Sequence, residues 1–118
     1  MSKLHPRVID MPQGDGWKVI GTALRSDGQV MDLTGAAIEW ALVNNKAVTL
    51  ARAVVGDGIT ITDASAGKFE IVLSPGATGA IAAGQHEDYL RVTLPGAAPQ
   101  TLWRGPFEVS FSPFKATA

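Results

Sequence analysis

The sequence predicts an all-β domain, an antiparallel sandwich or barrel of about seven to eight short strands, with the sandwich preferred. Three observations carry that prediction. Thirteen glycines and seven prolines are spread along the whole chain. They cut it into pieces of about five to ten residues, normal for strands and short for most helices. Between the breaks, apolar residues recur with period two, the spacing of a strand that buries one face. No segment shows the three- and four-residue spacing of an amphipathic helix. Two packed sheets account for a single bulky apolar face per strand, and Trp40, central in its segment, suits the core between them.

Taken in order, WKVIGTALRS (17–26) places Trp17, Val19 and Ala23 on one face and Ile20 and Leu24 on the other, so both faces are apolar. AIEWALVN (37–44) is cleaner, with Ile38, Trp40 and Leu42 together and Glu39 opposite. Asn44-Asn45 is a natural two-residue turn into AVTLARAVV (47–55), so 37–55 reads as a hairpin. ITIT (59–62) turns Ile59 and Ile61 inward, DASAG (63–67) is a turn, and KFEIVL (68–73) groups Phe69, Ile71 and Leu73. SPGATGAIAAG (74–84), broken by proline and glycine, reads as a crossing loop with at most one helical turn, around Ile81.

HEDYLRVTL (86–94) points Leu90, Val92 and Leu94 inward and Tyr89 and Arg91 outward. Asp88 falls in phase with that apolar set, which requires a place at the rim of the sandwich or a bulge that resets the phase after it. QTLWRGPFEVSF (100–111) sets Trp103, Phe107, Val109 and Phe111 on one side, with Pro106 implying an edge position or a bulge. Asp15-Gly16, Asp27-Gly28 and Asp57-Gly58 read as tight hairpin turns whose glycines supply positive φ.

At 118 residues the chain reads as one domain, long enough to bury about two thirds of its unfolded surface. Cysteine is absent, which excludes disulfides and thiolate chemistry and fits folding in a reducing cytosol. Ten basic and eleven acidic residues are scattered, giving a formal charge of -1. With no basic run to neutralise phosphates, nucleic acid is not an expected partner. No apolar stretch approaches the ~18–20 residues that span a bilayer. The N-terminal MSKLHPRVIDMPQGDG lacks the apolar core and cleavage site of a signal peptide, so the chain reads as soluble, not exported, and not membrane-bound.

The residue types that carry chemistry are sparse. There is no G-x-S-x-G nucleophile elbow, and of the two histidines His5 lies in the N-terminal arm and His86 begins a strand. In HED (86–88) the His86 and Glu87 side chains point to opposite faces, so a metal site there needs further ligands from another strand. None of the Asp-Gly pairs sits in an EF-hand series, and the crossing loop lacks the Gly-Lys-Ser/Thr ending of a phosphate loop. Trp17, Trp40, Trp103, Phe69 and Phe107 read as core rather than as a sugar-stacking platform, with Trp17 and Trp103 the two whose exposure decides it. No catalytic residue, metal ligand or cofactor is expected, and the chain reads as no enzyme.

The order of the pieces adds a resemblance. GDGWKVIGTALRSDGQVMDLTGAAIEWALVN, GDGITITDASAGKFEIVLSP, AAGQHEDYLRVTLPG and TLWRGPFEVSFSP follow one another at spacings that resemble the immunoglobulin-like domain of tailed bacteriophages and prophages. The chain is similar to the N-terminal domain of upper baseplate proteins, most tellingly in DLTGAAIEW (32–40), GITITDASAGKFEIVLS (58–74) and LWRGPFEV (102–109). It departs from that pattern in its proline- and glycine-rich crossing loop and in carrying His86 and Asp88 where aromatic residues are common. The resemblance implies an immunoglobulin-like antiparallel β-sandwich and a non-enzymatic virion component of the baseplate, neck or fibre-attachment region. It implies contacts with other tail, baseplate or neck proteins, repetition as a homo-oligomer, and no catalytic residues.

On this reading residues 1–13 are an N-terminal arm, 14–112 the sandwich and 113–118 a C-terminal tail. Leu4, Val8, Ile9, Met11, Phe111 and Phe114 are the candidate partner-contact residues of the two arms, reaching onto neighbouring subunits. The other reading of the arms is a strand added to the domain's own sheet. The rival function is a host-surface carbohydrate-binding or adhesin-like module, which requires exposed aromatics beside polar loops.

Overall fold

The computed structural model describes residues 9–112. The elements are β1 (Ile9–Pro12), β2 (Trp17–Thr22), β3 (Ala37–Val43), β4 (Thr49–Val55), β5 (Gly58–Asp63), β6 (Lys68–Leu73), α1 (Pro75–Gly79), β7 (Gly84–Thr93) and β8 (Gln100–Ser110). They hydrogen-bond in the order β1-β8-β7-β3-β4-β5-β6-β2. The run doubles over at the β4–β5 corner, so that β1-β8-β7-β3-β4 faces β5-β6-β2. The result is the all-β, sandwich-like fold that the alternation predicts.

Side chains from both layers fill the space between them. Trp40, Phe69 and Phe107 are the largest fully buried groups. Trp17 of β2 lies 5.4 Å from Trp40 of β3 and 5.3 Å from Phe107 of β8, and Phe69 of β6 lies 6.0 Å from Trp103 of β8. Such ring pairs add about 0.5–1.5 kcal/mol each beyond the burial of their area. Gly21 makes room for one of them, because a Cβ there would stand 2.5 Å from the tip of the Phe69 ring. Ile38 and Leu42 on β3, Ile71 on β6, and Leu90 and Val92 on β7 are buried as their period-two spacing requires.

Several local expectations give way to better-determined geometry. Residues 56–58 are no hairpin turn: Val54 pairs with Gly58 and Val55 with Ile59 in parallel register, and the chain crosses there from one layer to the other. Gly56 and Gly58 take φ of 91° and 97° to make that corner. Ahead of β2 the positive φ belongs to Gly14, not to Gly16. The β3–β4 turn is longer than two residues. Asn44 Oδ1 accepts from the amides of Lys46 and Val48, and Ala47 takes φ of 61°. A register shift after Leu42 leaves Leu50 as the extra residue on β4.

The helical turn precedes Ile81 instead of surrounding it. Ser74 caps α1 by accepting from the Ala77 amide, and Pro75 occupies the first turn. Pro106 does not mark a sheet edge, since β8 lies between β1 and β7. It stands just before Phe107, where the parallel pairing with β1 begins. The strand ends at Ser110, so Phe111 leaves the inward face and is 69% exposed.

The β1–β2 crossover is pinned by buried polar groups. Gln13 Nε2 donates to the Ile81 carbonyl at 2.6 Å, and its Oε1 accepts from the Ser112 amide at 3.4 Å. Thr78 of α1 accepts from the Gly14 amide and donates to the Asp15 carbonyl. Thr78 thus ties the short helix to the β1–β2 connection, and Gln13 ties that connection to Ile81 and to Ser112 after β8.

Candidate functional site

The most unusual side chain of the interior is Asp88. The β3–β7 ladder runs without a break from Ala37↔Thr93 to Val43↔Glu87, so no bulge resets the phase after Asp88. It does not reach the rim either. It points inward and is fully buried. Its Oδ2 accepts from Trp40 Nε1 at 2.8 Å and from Trp103 Nε1 at 3.3 Å. Both expected resolutions of the phase are corrected by one fact: indole N–H groups from β3 and β8 supply the donors that a buried carboxylate requires. Two irregularities lie nearby, neither on β7: on β4 the shift after Leu42, the residue opposite Asp88, leaves Leu50 extra, and on β8 Leu90 faces Trp103 and Arg91 faces Thr101, leaving Leu102 extra.

This node braces the core between β3, β7 and β8. Neither indole is a base or nucleophile. His86 points the same way as Asp88, and its Nε2 lies 2.8 Å from the Ala82 carbonyl while Nδ1 is buried with no hydrogen-bond partner among the described residues. Among the described residues no group of three or more His, Cys, Asp or Glu is placed to hold a metal ion. No helix among them is long and apolar enough to cross a membrane.

Outside the core, the face of the β4-β3-β7-β8 layer carries a polar cluster. Glu39 Oε1 accepts from Arg91 Nη2 at 2.6 Å and Nε at 3.0 Å, while Oε2 accepts from Arg52 Nη2 at 3.3 Å. Tyr89 donates to Glu87 at 3.0 Å. A shallow, open depression of about 320 Å³ lies over Glu39, Arg52, Tyr89, Arg91 and Thr101. Exposed ion pairs of this kind contribute about 0.2–1 kcal/mol each. Their residue types, arginine and tyrosine, are those that dominate contact surfaces between proteins.

Elsewhere Asp32, fully exposed in the approach to β3, accepts from both the hydroxyl and the amide of Thr34. Those two hydrogen bonds, the hydroxyl's first, hold its carboxyl below the ordinary value of 3.8.

Of the arm residues, Ile9 and Met11 lie in β1, which pairs with β8 inside the domain's own sheet. The Met11 side chain is buried in the domain core, whereas Phe111 is exposed. Leu4, Val8 and Phe114 lie outside the described residues. The two tryptophans that decide the sugar-platform reading are both part-buried. Trp17 packs on Trp40 and Phe107, and Trp103 packs on Phe69 and donates to Asp88. Sequence alone marked Asp88 as out of place; its indole partners needed the β3-β7-β8 order, which brings residues far apart in the chain together.

No protein-family model matches the chain, and no curated protein matches it in sequence. Solved structures do match. The N-terminal domain of phage TP901-1 ORF48 superposes with a TM-score of 0.62 at 14% identity, over 88% of this chain and 85% of that one. The extracellular domains 3–5 of Drosophila OTK match with a TM-score of 0.35 at 13% identity, over 92% of this chain and 37% of theirs. The resemblance to a tailed-phage domain is thus met in three dimensions, and this chain has the fold of the N-terminal domain of a phage protein.

Proposed function

We propose that the chain is a non-enzymatic structural component of a bacteriophage tail region, a baseplate, neck or fibre-attachment subunit acting through protein–protein contacts. One observation carries the reading: the fold it shares with the phage TP901-1 ORF48 N-terminal domain across 88% of its length. Fold alone does not assign function, but the surface supports the same role. The ion pairs around Glu39 present arginine side chains on the β4-β3-β7-β8 face, and Phe111 stands exposed beside the end of β8. On this reading the protein belongs to the virion, is made in the bacterial cytoplasm, and is repeated as a homo-oligomer among tail, baseplate or neck proteins, with no membrane or nucleic-acid partner. The test is mass spectrometry of particles purified from a host carrying the intact gene cluster. The chain should co-purify with tail proteins at a fixed multiple of the portal or tail-tip copy number. Its absence from complete, infectious particles would refute the reading.

A further inference from the structure

β2 is one end of the hydrogen-bonded run, and among the described residues no strand pairs with its second edge. The Ala23 amide donates to the Gly67 carbonyl at 2.8 Å, in the register that pairs Trp17 with Leu73 and Thr22 with Lys68. In an antiparallel ladder, pairs that exchange hydrogen bonds alternate with pairs that do not. Trp17, Val19, Gly21 and Ala23 therefore turn their backbone groups toward β6. Lys18, Ile20 and Thr22 aim theirs out of the sheet.

Both faces are under-covered along this edge. Outward, Ile20 is 68% exposed, diagonal to Val72 at 44% and in phase with exposed Leu24. Inward, Trp17 and Val19 are only part-buried, although Phe69, Ile71 and Leu73 on the adjoining β6 are buried. The hairpin that joins Leu24 to Val30 gives no cover. Met31 N–H donates to the Ala23 carbonyl and Leu33 N–H to the Ala64 carbonyl, which folds it back over the β5–β6 turn.

We propose that this edge docks β2 of a second copy, antiparallel about a two-fold axis at Ile20. In that register Ile20 meets Ile20 and Lys18 meets Thr22 of the partner, so all three edge-directed residues find backbone partners. On the inner face Val19 falls opposite Gly21 and Trp17 opposite Ala23, a bulky residue against a small one each time. The edge is complementary to itself, as an isologous contact requires, and pairing satisfies the open edge that a sheet otherwise leaves as a liability. The inference rests on the repeated-subunit reading for its setting, while the contact is tested separately.

The chain has no cysteine, so a single one can report the contact. Residues opposite each other in a hydrogen-bonded antiparallel pair have Cα atoms about 5.5 Å apart, within the span of about 4.4–6.8 Å that a disulfide bridges. Under mild oxidation the full chain with Ile20→Cys should reach twice the 12.3 kDa monomer mass. Val48→Cys, an exposed site in the β3–β4 turn, should not. Ile20→Lys should weaken self-association at least about tenfold by light scattering with an unchanged circular dichroism spectrum. Equal cross-linking at both cysteines, unaltered association of Ile20→Lys, or cross-linking of Ile20→Cys only to a different virion protein would overturn the proposal. If the wild-type chain joins tail proteins and Ile20→Cys does not self-link, the β2 contact alone fails. If it self-links but joins none, the tail reading alone fails.

Discussion

Replacing Asp88 by alanine removes the acceptor of two indole N–H groups, and the cost can be worked from their geometry. The Trp40 bond is 2.8 Å long and enclosed, and the Trp103 bond is 3.3 Å long on a part-buried ring. A buried donor stripped of its acceptor costs about 1–3 kcal/mol, with charged acceptors toward the upper end. Trp103 can recover part of its loss from water, leaving about 1 kcal/mol. The sum is about 3 kcal/mol, a large share of the ~5–15 kcal/mol that holds a domain folded. With a urea slope of about 1.5 kcal/mol per molar, the unfolding midpoint falls by about 2 M. Asp88→Asn keeps one acceptor oxygen and should lose about half as much. The assay is urea unfolding followed by tryptophan fluorescence and circular dichroism, with Trp40→Phe and the double variant completing a cycle. A coupling of about 1–2 kcal/mol between residues 40 and 88 is predicted. An Asp88→Ala midpoint unchanged within error, or additive single variants, would refute the reasoning.

Other consequences are equally specific. Gly21→Ala forces a Cβ to 2.5 Å from the buried Phe69 ring and should cost about 1–3 kcal/mol. Gly67→Ala should cost at least as much, because its φ is +70° and the Cβ meets the Met31 and Ala23 carbonyls at 2.8 and 2.9 Å, whereas Gly28→Ala meets nothing and carries only left-handed strain of about 1–2 kcal/mol; thermal melts rank the three. Gln13→Ala leaves the Ile81 carbonyl and Ser112 amide without their side-chain partner and should lower stability by about 2 kcal/mol, with faster amide exchange at Ser112. Asp32 has a lowered folded pKa, so its contribution is present above its unfolded value and disappears as pH falls through the folded one. Thr34→Ala should raise the Asp32 carboxyl titration toward 3.8, read by NMR; an unmoved titration contradicts the assignment to the Thr34 hydroxyl.

Most of the fold was legible because its strands bury one face. Ile38, Trp40 and Leu42, then Phe69, Ile71 and Leu73, announce themselves by period two and are buried as read. What escaped depends on partners distant in sequence. Ile9–Pro12 is too short to stand out as a strand and was legible only as the alternative of a strand added to the domain's own sheet, which its parallel pairing with Phe107–Ser110 bears out. The 56–58 glycines look like a hairpin turn, since positive φ serves a layer-crossing corner equally well. Asp88 breaks the apolar pattern, and its justification lies on two other strands. Phe111 continues the alternation by one step beyond the strand's end.

The proposed function requires that this fold work through contacts with tail proteins. Light scattering of the purified chain, alone and mixed with the products of neighbouring tail genes, tests it most directly. Self-association and capture into a complex of fixed stoichiometry with at least one neighbour are expected. A chain that remains a 12.3 kDa monomer with every one of them, and binds glycans instead, would contradict it.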